Sequence, residues 1–292
     1  MFESLFAILT QALLFVPLAF GISISYNILR ATDMTLDGSF VLGAAIFARL
    51  VTLGYSPYLA FISALAAGAL AGMLTASIQR NDRVDPLLAG VLAAFILSSL
   101  NLGIMGKPNI NLLSQPTLVA NAFAKDDLLG WFVVSLYVIS LCLTVLFLLK
   151  TRLGLFLRAF GDNPRYFKQQ GRNIETYRLI GFAITNMLAA SAGCLTAQTI
   201  GFADVGMGLG VTLTGIGTII LGHHLFSRFY KKHFRLTAEF IACLIGVLIY
   251  FFSLSLLLRL NVDPIYLKMI LGIVLIIFLR TAGKSQLTGN GS

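Results

Sequence analysis

Charged residues are scarce in this chain. Asp, Glu, Lys and Arg together make up 11% of its 292 residues, whereas soluble proteins carry about 25%. A surface that faces water needs a charged shell, so this composition excludes a soluble globular domain. Hydrophobic residues make up 58%, and a helix needs about 20 apolar residues to cross roughly 30 Å of bilayer hydrocarbon. We therefore expect an integral membrane protein.

The chain also has little that could hold a metal, a disulfide or a nucleotide. The three cysteines lie far apart in apolar segments, where they are expected to be small buried hydrophobes: Cys142, Cys194 and Cys243. His223 and His224 are adjacent, and adjacent helical residues point about 100° apart, which argues against one shared metal ion. Ala282–Ser285 ends like a phosphate-binding loop, but that motif requires glycine where the chain has Phe278. We expect no catalytic residues, no metal and no cofactor bound by this chain.

Nine long apolar segments follow one another along the chain. They do not alternate with polar residues as the strands of a membrane barrel would, which favours helices. The segments are Leu5–Leu29, Ser39–Leu53, Pro57–Ile78, Pro86–Ile104, Leu128–Leu149, Leu179–Ile200, Val211–Phe226, Leu236–Leu258 and Pro264–Leu279. We predict an all-α, polytopic transmembrane helical bundle of about nine spans, forming a single domain over residues 1–292.

Positive charge collects in alternate connections between these segments. Of the 21 Lys and Arg residues, 16 lie after the first, third, fifth, seventh and ninth segments. Basic connections face the cytoplasm, so we expect a multi-pass membrane protein with its N-terminus outside and its C-terminus in the cytoplasm. The same asymmetry accounts for the net charge of +9 without nucleic acid as a partner, whereas membrane lipid is an expected one.

Two polar or glycine-rich stretches each precede an unusually short apolar segment. The first is Arg30–Ser39 and the second is Gly201–Gly210, one in each half of the chain. Short, interrupted segments at corresponding positions of two halves are typical of an inverted repeat with discontinuous helices beside a substrate path. Ordinary loops at the membrane surface are the alternative interpretation.

Polar side chains inside an apolar bundle are candidates for lining a substrate path. We select those at the two interruptions and those within apolar segments: Asp33, Thr35, Asp37, Ser39, Asn101, Asn186, Gln198 and Asp204. A hydrogen bond between helices is the alternative role for each asparagine. Asp33 and Asp37 share one helical face if that stretch is helical, and Asp37 also suits the capping of the second helix.

The longest basic connection, residues 150–178, is too long for a turn and too short for a domain. It contains start and stop signals for a short helix at about Pro164–Gln170, because proline is favoured at the first helical position. Asp162 or Asn163 suits the N-cap, and Gly171 suits the stop. A helix of this length is marginal in water, so it needs a surface to dock on. A solvated basic loop that only fixes topology is the alternative.

Four motifs resemble those of a known family. Gly161–Arg165, which reads Gly-Asp-Asn-Pro-Arg, is followed by Gln170-Gly171 and resembles the coupling segment of bacterial ABC-transporter permeases of the branched-chain amino acid and sugar importer superfamily. Asp33–Ala44 resembles the polar opening of that superfamily's second helix. Met105–Asn109 and Gly201–Gly208 resemble the narrower group of tryptophan/tyrosine-type ABC permeases. The motifs occur in the same order, and the resemblance covers nearly the whole chain.

The resemblance implies the permease subunit of an ATP-binding cassette importer for a small organic solute, with tryptophan or tyrosine as candidates. It implies a homodimer that forms one path, cytoplasmic ATPase subunits that bind ATP and Mg²⁺, and an extracytoplasmic substrate-binding protein. This chain would then be no enzyme, and it would lie in the bacterial plasma (inner) membrane. The residues implied to contact the ATPase are Gly161, Asp162, Asn163, Pro164, Arg165, Lys168, Gln170 and Gly171. A stand-alone secondary transporter driven by an ion gradient is the alternative function.

Overall fold

The computed structural model describes residues 2–119, 127–227 and 235–260, together with separate positions between 263 and 276. These ranges are mostly helical, and we number their helices in chain order. They are α1 (Phe2–Ser23), α2 (Thr35–Thr52), α3 (Pro57–Ile78), α4 (Pro86–Met105), α5 (Asp127–Lys150), α6 (Arg152–Asp162), α7 (Pro164–Gln169), α8 (Ile174–Ile200), α9 (Val211–Ser227) and α10 (Arg235–Arg259). A π-helical turn, Ile24–Ile28, continues α1, and a 3₁₀ turn, Arg80–Asp82, follows α3.

Seven helices within the described ranges are long and apolar enough to cross a membrane: α1 with its π-turn, α2, α3, α4, α5, α8 and α10. Helix α9 is apolar but shorter, with its apolar part at Val211–Leu225. The predicted all-α, polytopic bundle is therefore confirmed. The ninth predicted segment, Pro264–Leu279, lies largely outside the described residues, which cover only separate positions there.

The segment boundaries that agree best with the sequence are those set by proline, aspartate and glycine. Pro57 and Pro86 occupy the first positions of α3 and α4, where the missing N–H is no loss. The Asp85 carboxylate accepts a hydrogen bond from the Leu87 N–H at 2.9 Å, capping α4. Gly106 and Gly201 end α4 and α8 in the left-handed conformation, with φ of +69° and +86°.

Two helices begin earlier than predicted. Helix α2 starts at Thr35 rather than Ser39 and has 18 residues, so the predicted short span is wrong. The start at Thr35 is stabilised by the Asp33 carboxylate, which accepts the Thr35 N–H at 2.9 Å. Helix α8 starts at Ile174 rather than Leu179, because Asn173 caps it by accepting the Glu175 N–H at 3.0 Å.

The connection at 150–178 contains two helices where the sequence predicted one. Helix α7 ends at Gln169, close to the prediction, and α6 was missed. The residues that α6 buries recur at helical spacing: Gly154, Leu157, Phe160 and Gly161. Gly161 and Asp162 therefore end α6 instead of opening the short helix, and Asn163 separates the two helices.

Two three-residue strands interrupt the helical pattern. Strand β1 (Asn109–Asn111) pairs antiparallel with β2 (Phe202–Asp204), and Asn109 lies opposite Asp204. The prediction of helices alone missed this pairing. Gly201–Gly210 is non-helical as predicted, since β2 and a series of turns precede the start of α9 at Val211.

The connections of the larger unit separate into two groups by their mutual contacts. On one side, Arg30 forms an ion pair with Asp162 at 2.6 Å, and the Asn81 N–H donates to Glu175 Oε1 at 3.2 Å. These contacts join the connections after α1, α3 and α5. On the other, β1 and β2 join the connections after α4 and α8. The charge pattern predicts the same grouping of connections, and which group faces the cytoplasm stays a prediction.

By their contacts the residues form two compact units, Leu13–Ile216 and, separately, Met1–Ala12 with Gly217–Ser292. In the first unit, α2, α3 and α8 pack with their backbones in contact. A Cβ atom at Gly43 would collide with the Ala190 carbonyl, and one at Gly193 with the Phe40 carbonyl. Small residues allow this approach between membrane helices.

The glycine pair Gly68 and Gly72, which the sequence indicated as a packing motif, lies on the α3 face that contacts α8. A Cβ atom at Gly72 would meet the Phe182 carbonyl. In the second unit, Gly222 of α9 approaches the Ala242 carbonyl of α10 in the same way. Contact through glycine therefore recurs in both units.

Candidate functional site

The start of α2 lies in a buried polar network. The side chain of Asp33 is 1% exposed. One of its carboxylate oxygens accepts the Thr35 N–H at 2.9 Å, and the other accepts the Asn186 Nδ2–H at 2.7 Å. Asn186 lies near the middle of α8, so α2 begins well inside the bundle. A buried carboxylate is costly unless it is fully hydrogen-bonded, and these two donors meet that need.

Two further bonds tie the same region to its neighbours. Ser39 donates its hydroxyl to Asn186 Oδ1 at 2.6 Å, and the Thr35 and Thr75 hydroxyl oxygens lie 2.7 Å apart. Asn186 therefore joins α2 to α8, which is the helix–helix alternative stated above. Thr75 on α3 was missed, because a single threonine in an apolar segment gives no signal of its own.

Asp37 connects the two predicted interruptions. One of its carboxylate oxygens accepts the Gly210 N–H at 3.0 Å, and the other accepts the Thr212 N–H at 2.6 Å. These amides belong to the start of α9, which otherwise lacks backbone partners for its first donors. A carboxylate at a helix N-terminus also interacts favourably with the helix dipole. Capping of its own helix was the alternative role for Asp37, but the structure shows it capping α9.

Beside this contact is a cavity of about 350 Å³. It is bounded by the first half of α2, by one face of α4 and by the chain between β2 and α9. Of the predicted path residues, Asp37 and Asn101 line it. Ser98 also lines it, one helical turn before Asn101, and that i, i+3 spacing is the signal that could have identified it.

The other predicted path residues have structural contacts instead. Gln198 on α8 accepts the Leu118 N–H at 3.1 Å, which holds the connection after β1. Asp204 accepts the Gly206 N–H at 2.7 Å within the turns after β2. The network of Asp33, Thr35, Ser39 and Asn186 adjoins the cavity without lining it. Contact with solute stays a prediction for all of these residues.

The coupling segment, defined here as α6 and α7 with Asn163 between them, has the predicted caps. Asn163 Oδ1 accepts the Tyr166 N–H at 3.0 Å, which identifies Asn163 as the N-cap of α7. Gly171 has φ of +72°, as the predicted stop requires. Pro164, Arg165 and Gln170 are exposed, whereas the side chain of Lys168 lies outside the described residues.

An aromatic cluster holds the coupling segment against the start of α8. The rings of Phe156, Phe167 and Tyr177 are in mutual contact, with centroid distances of 5.1 to 6.2 Å. The guanidinium of Arg172 lies 4.7 Å from the centre of the Phe156 ring, a cation–π distance. Arg172 thus has a contact within the chain as well as its predicted role toward an ATPase.

The coupling segment also contacts the π-turn directly. Gly161 packs so closely on the Ile28 carbonyl that a Cβ atom there would collide with it. The ion pair between Arg30 and Asp162 lies beside this contact, with both side chains more than half exposed. The coupling segment is thereby joined to the chain that leads into Asp33. Neither the contact of Gly161 with Ile28 nor the ion pair of Asp162 with Arg30 was predicted from the sequence.

Arg178 was assigned only to the basic connection, but it is a buried residue that holds two connections together. It is 7% exposed, and its Nη1 donates to the Gln79 carbonyl at 2.6 Å and to the Glu175 carboxylate at 3.4 Å. A charged side chain of this kind is buried only when it is paired.

Among the described residues, no three His, Cys, Asp or Glu side chains come together as metal ligands.

Comparison with known proteins identifies the family of the chain. Residues 4–279 match the family described as "Branched-chain amino acid transport system / permease component". The chain is 47% identical over 280 residues to an uncharacterised protein of Rickettsia prowazekii (strain Madrid E), covering 96% of this chain and 98% of that one.

Two named relatives extend the comparison. The chain is 37% identical over 280 residues to the tyrosine transport system permease protein of Clostridioides difficile (strain R20291), covering 96% of this chain and 91% of the relative. It is 24% identical over 231 residues to the ribose import permease protein of Escherichia coli (strain K12), covering 75% and 69%.

The fold and the match over nearly the whole chain define a membrane transport subunit. The chain belongs to the family of branched-chain amino acid and sugar ABC-importer permeases. It is a multi-pass inner-membrane permease subunit for a small solute, and ATPase and substrate-binding subunits are the partners that this family implies.

Proposed function

We propose that the chain forms the translocation path of an importer for tyrosine or a closely related aromatic amino acid, as a homodimer driven by separate ATPase subunits. The coupling segment is the observation that supports the proposed link to ATPase subunits. It exposes Pro164, Arg165 and Gln170 while Gly161 packs on the Ile28 carbonyl of the π-turn. ATP and Mg²⁺ would bind to the ATPase alone.

The geometry of the coupling segment suits transmission of movement. Helix α7 has only six residues, but Asn163 caps it and Phe167 packs it against Phe156 and Tyr177. A pull on α7 is therefore passed to α8 through the aromatic rings and to the π-turn through Gly161. Arg165 is exposed and offers a charged contact to a partner.

The contacts between connections support the proposed orientation. The connections after α1, α3 and α5 share contacts, and these are connections in which Lys and Arg collect. The positive-inside rule assigns that group to the cytoplasm, where an ATPase would be available. The N-terminus would then lie outside, and the C-terminus would lie in the cytoplasm if the ninth segment spans the membrane. The full length would form one permease domain in lipid.

The solute is proposed from the relative that is 37% identical over 96% of this chain and is named for tyrosine transport. The cavity agrees with a solute of amino-acid size, since pockets for small molecules measure about 300–1,000 Å³. Its lining is mostly apolar, with Asp37, Ser98 and Asn101 as the polar side chains.

The test is uptake of labelled tyrosine into proteoliposomes that contain the permease, its ATPase and its binding protein. We expect uptake to require ATP and to persist when ionophores dissipate ion gradients. The variant Arg165→Glu is expected to lower co-purification of the ATPase and to reduce uptake, because it reverses the charge of the docking surface.

The matched control is Arg49→Glu, which reverses the charge of another exposed arginine, in the last turn of α2. It should leave co-purification of the ATPase unchanged. Uptake that proceeds without ATP and collapses with an ionophore would show an ion-driven transporter instead. Equal loss of ATPase binding in both variants would contradict the assignment of the docking surface.

A further inference from the structure

The cavity contains one buried hydrogen-bond acceptor without a donor. Asn101 is 1% exposed, and its Nδ2 donates to the Gly38 carbonyl at 3.0 Å. That bond fixes which atom of the amide is the oxygen. The oxygen, Oδ1, is buried and has no hydrogen-bond partner in the described part of the chain.

An acceptor left in this state costs free energy, because it has lost its bonds to water and gained none in return. Such groups are rare in native proteins, and a bound water, ion or ligand is one explanation for them. Asn101 is one of the residues that line the cavity, so a small shift of the side chains around Oδ1 would give a molecule in the cavity access to it.

The charge of the cavity selects the kind of donor. Asp37 contributes a carboxylate to the lining, and each of its oxygens accepts one backbone amide. A carboxylate has about four lone-pair sites, so acceptor capacity remains. A positively charged donor is therefore favoured here, whereas a second carboxylate would be repelled.

The rest of the lining suits an apolar body. Val41, Leu87, Val91 and Phe95 surround the polar groups, and Phe95 is 70% exposed. An aromatic ring of the cavity can stack on an aromatic solute in an offset or edge-to-face arrangement. The site thus combines an apolar wall with one acceptor and one negative charge.

We infer that this cavity binds the amine end of an apolar, amino-acid-sized solute, whose ammonium donates to Asn101 Oδ1 beside the Asp37 carboxylate while its side chain lies against Phe95. This inference rests on the proposed function, since it assigns a recognition role to the same path. It makes the amine, rather than the carboxylate or a phenol, the group that the permease itself recognises.

The test uses the full chain in lipid nanodiscs and saturation-transfer NMR, which detects weak binding. Three probes share one phenyl body: phenethylamine, phenylalanine and 3-phenylpropanoate. We expect transfer to the two amines and at least about tenfold weaker binding of 3-phenylpropanoate, since a hydrogen bond to a charged group is worth that much. Equal binding of 3-phenylpropanoate, or binding of no probe, would overturn the inference.

The variants separate recognition from folding. Asn101→Leu should weaken phenethylamine at least about tenfold, and Asp37→Asn should weaken it as well, because the negative charge of the lining is removed while the Asn101 bond to the Gly38 carbonyl is kept. Ser98→Ala should weaken it less, and Ser99→Ala, on the same helix but outside the lining, should not change it. Unchanged binding in Asn101→Leu would overturn the inference.

Where Asn101→Leu does not give a monodisperse protein, the comparison of Asp37→Asn with the three probes decides. Loss of that charge should weaken phenethylamine but not 3-phenylpropanoate, and equal changes in both would overturn the inference. The measurement needs neither ATP nor a partner chain. Amine-selective binding without ATP-driven uptake of tyrosine would therefore contradict the proposed function alone.

Discussion

The carboxylate of Asp37 should determine the stability of the first turn of α9, although it lies on α2. We expect Asp37→Ala to leave the Gly210 and Thr212 amides without their acceptor. Loss of an N-cap costs about 0.5–2 kcal/mol, and a hydrogen bond to a charged group is worth about 1.5–3 kcal/mol. Both figures describe the same contacts, so they are not added, and the expected local cost is about 2–3 kcal/mol.

The measurement is amide hydrogen exchange of the full chain in nanodiscs, followed residue by residue across the start of α9. A cost of about 2–3 kcal/mol corresponds to exchange about 30- to 150-fold faster at Gly210 and Thr212. Asp37→Asn should give an intermediate increase, because an amide retains one acceptor oxygen.

The matched control is Asp85→Ala, which removes a carboxylate that caps its own helix α4 through the Leu87 N–H at 2.9 Å. It should speed exchange at the start of α4 and leave α9 unchanged. If Asp37→Ala changes exchange at Gly210 and Thr212 less than the control variant does, the capping of α9 by α2 is refuted.

Three further outcomes are expected. Gly193→Ala should destabilise the fold by about 1–3 kcal/mol and lower the thermal unfolding temperature, because the added Cβ would meet the Phe40 carbonyl. Gly103→Ala should not lower it, because the Cβ added there would meet nothing within 4 Å. Asn163→Ala should destabilise α7 by about 0.5–2 kcal/mol, because the N-cap is lost. Faster hydrogen exchange of the Tyr166 amide would show this, and unchanged exchange would contradict it. Arg178→Ala should cost about 1.5–3 kcal/mol in a detergent unfolding assay, with Arg178→Lys recovering part of the loss.

The sequence predicted the helices best where it contains residues with one conformational role. Pro57 and Pro86 mark the starts of α3 and α4 because proline fits the first helical turn. Gly171 marks a stop for the same kind of reason, since its φ is positive. These signals are local, and they need no knowledge of the rest of the fold.

The start of α2 could not be placed from local signals. Thr35, Asp37 and Ser39 are residues typical of turns and caps, yet they lie within the helix. They are accommodated because Thr75, Asn186 and the start of α9 supply their hydrogen-bond partners. Those partners are distant in sequence, so only the tertiary structure reveals them.

Helix α6 shows a different limitation. Its buried residues follow a helical period, but five of its eleven residues are glycine, arginine or aspartate, and the stretch therefore resembles a basic loop. The signal was present in the spacing of Leu157 and Phe160. The contact of Gly161 with Ile28 had no such signal.

The backbone contacts among α2, α3 and α8 have a mechanical consequence. Where a carbonyl such as that of Ala190 touches Gly43 directly, no intervening side chain can rotate to absorb a displacement, and a close-packed interior transmits strain. The three helices must therefore shift together. The regular α-helical ladder is interrupted at residues 24–34, before α2, and at 201–210, after α8, so these stretches can deform more easily, and Asp37 at the start of α2 bonds to the end of the second.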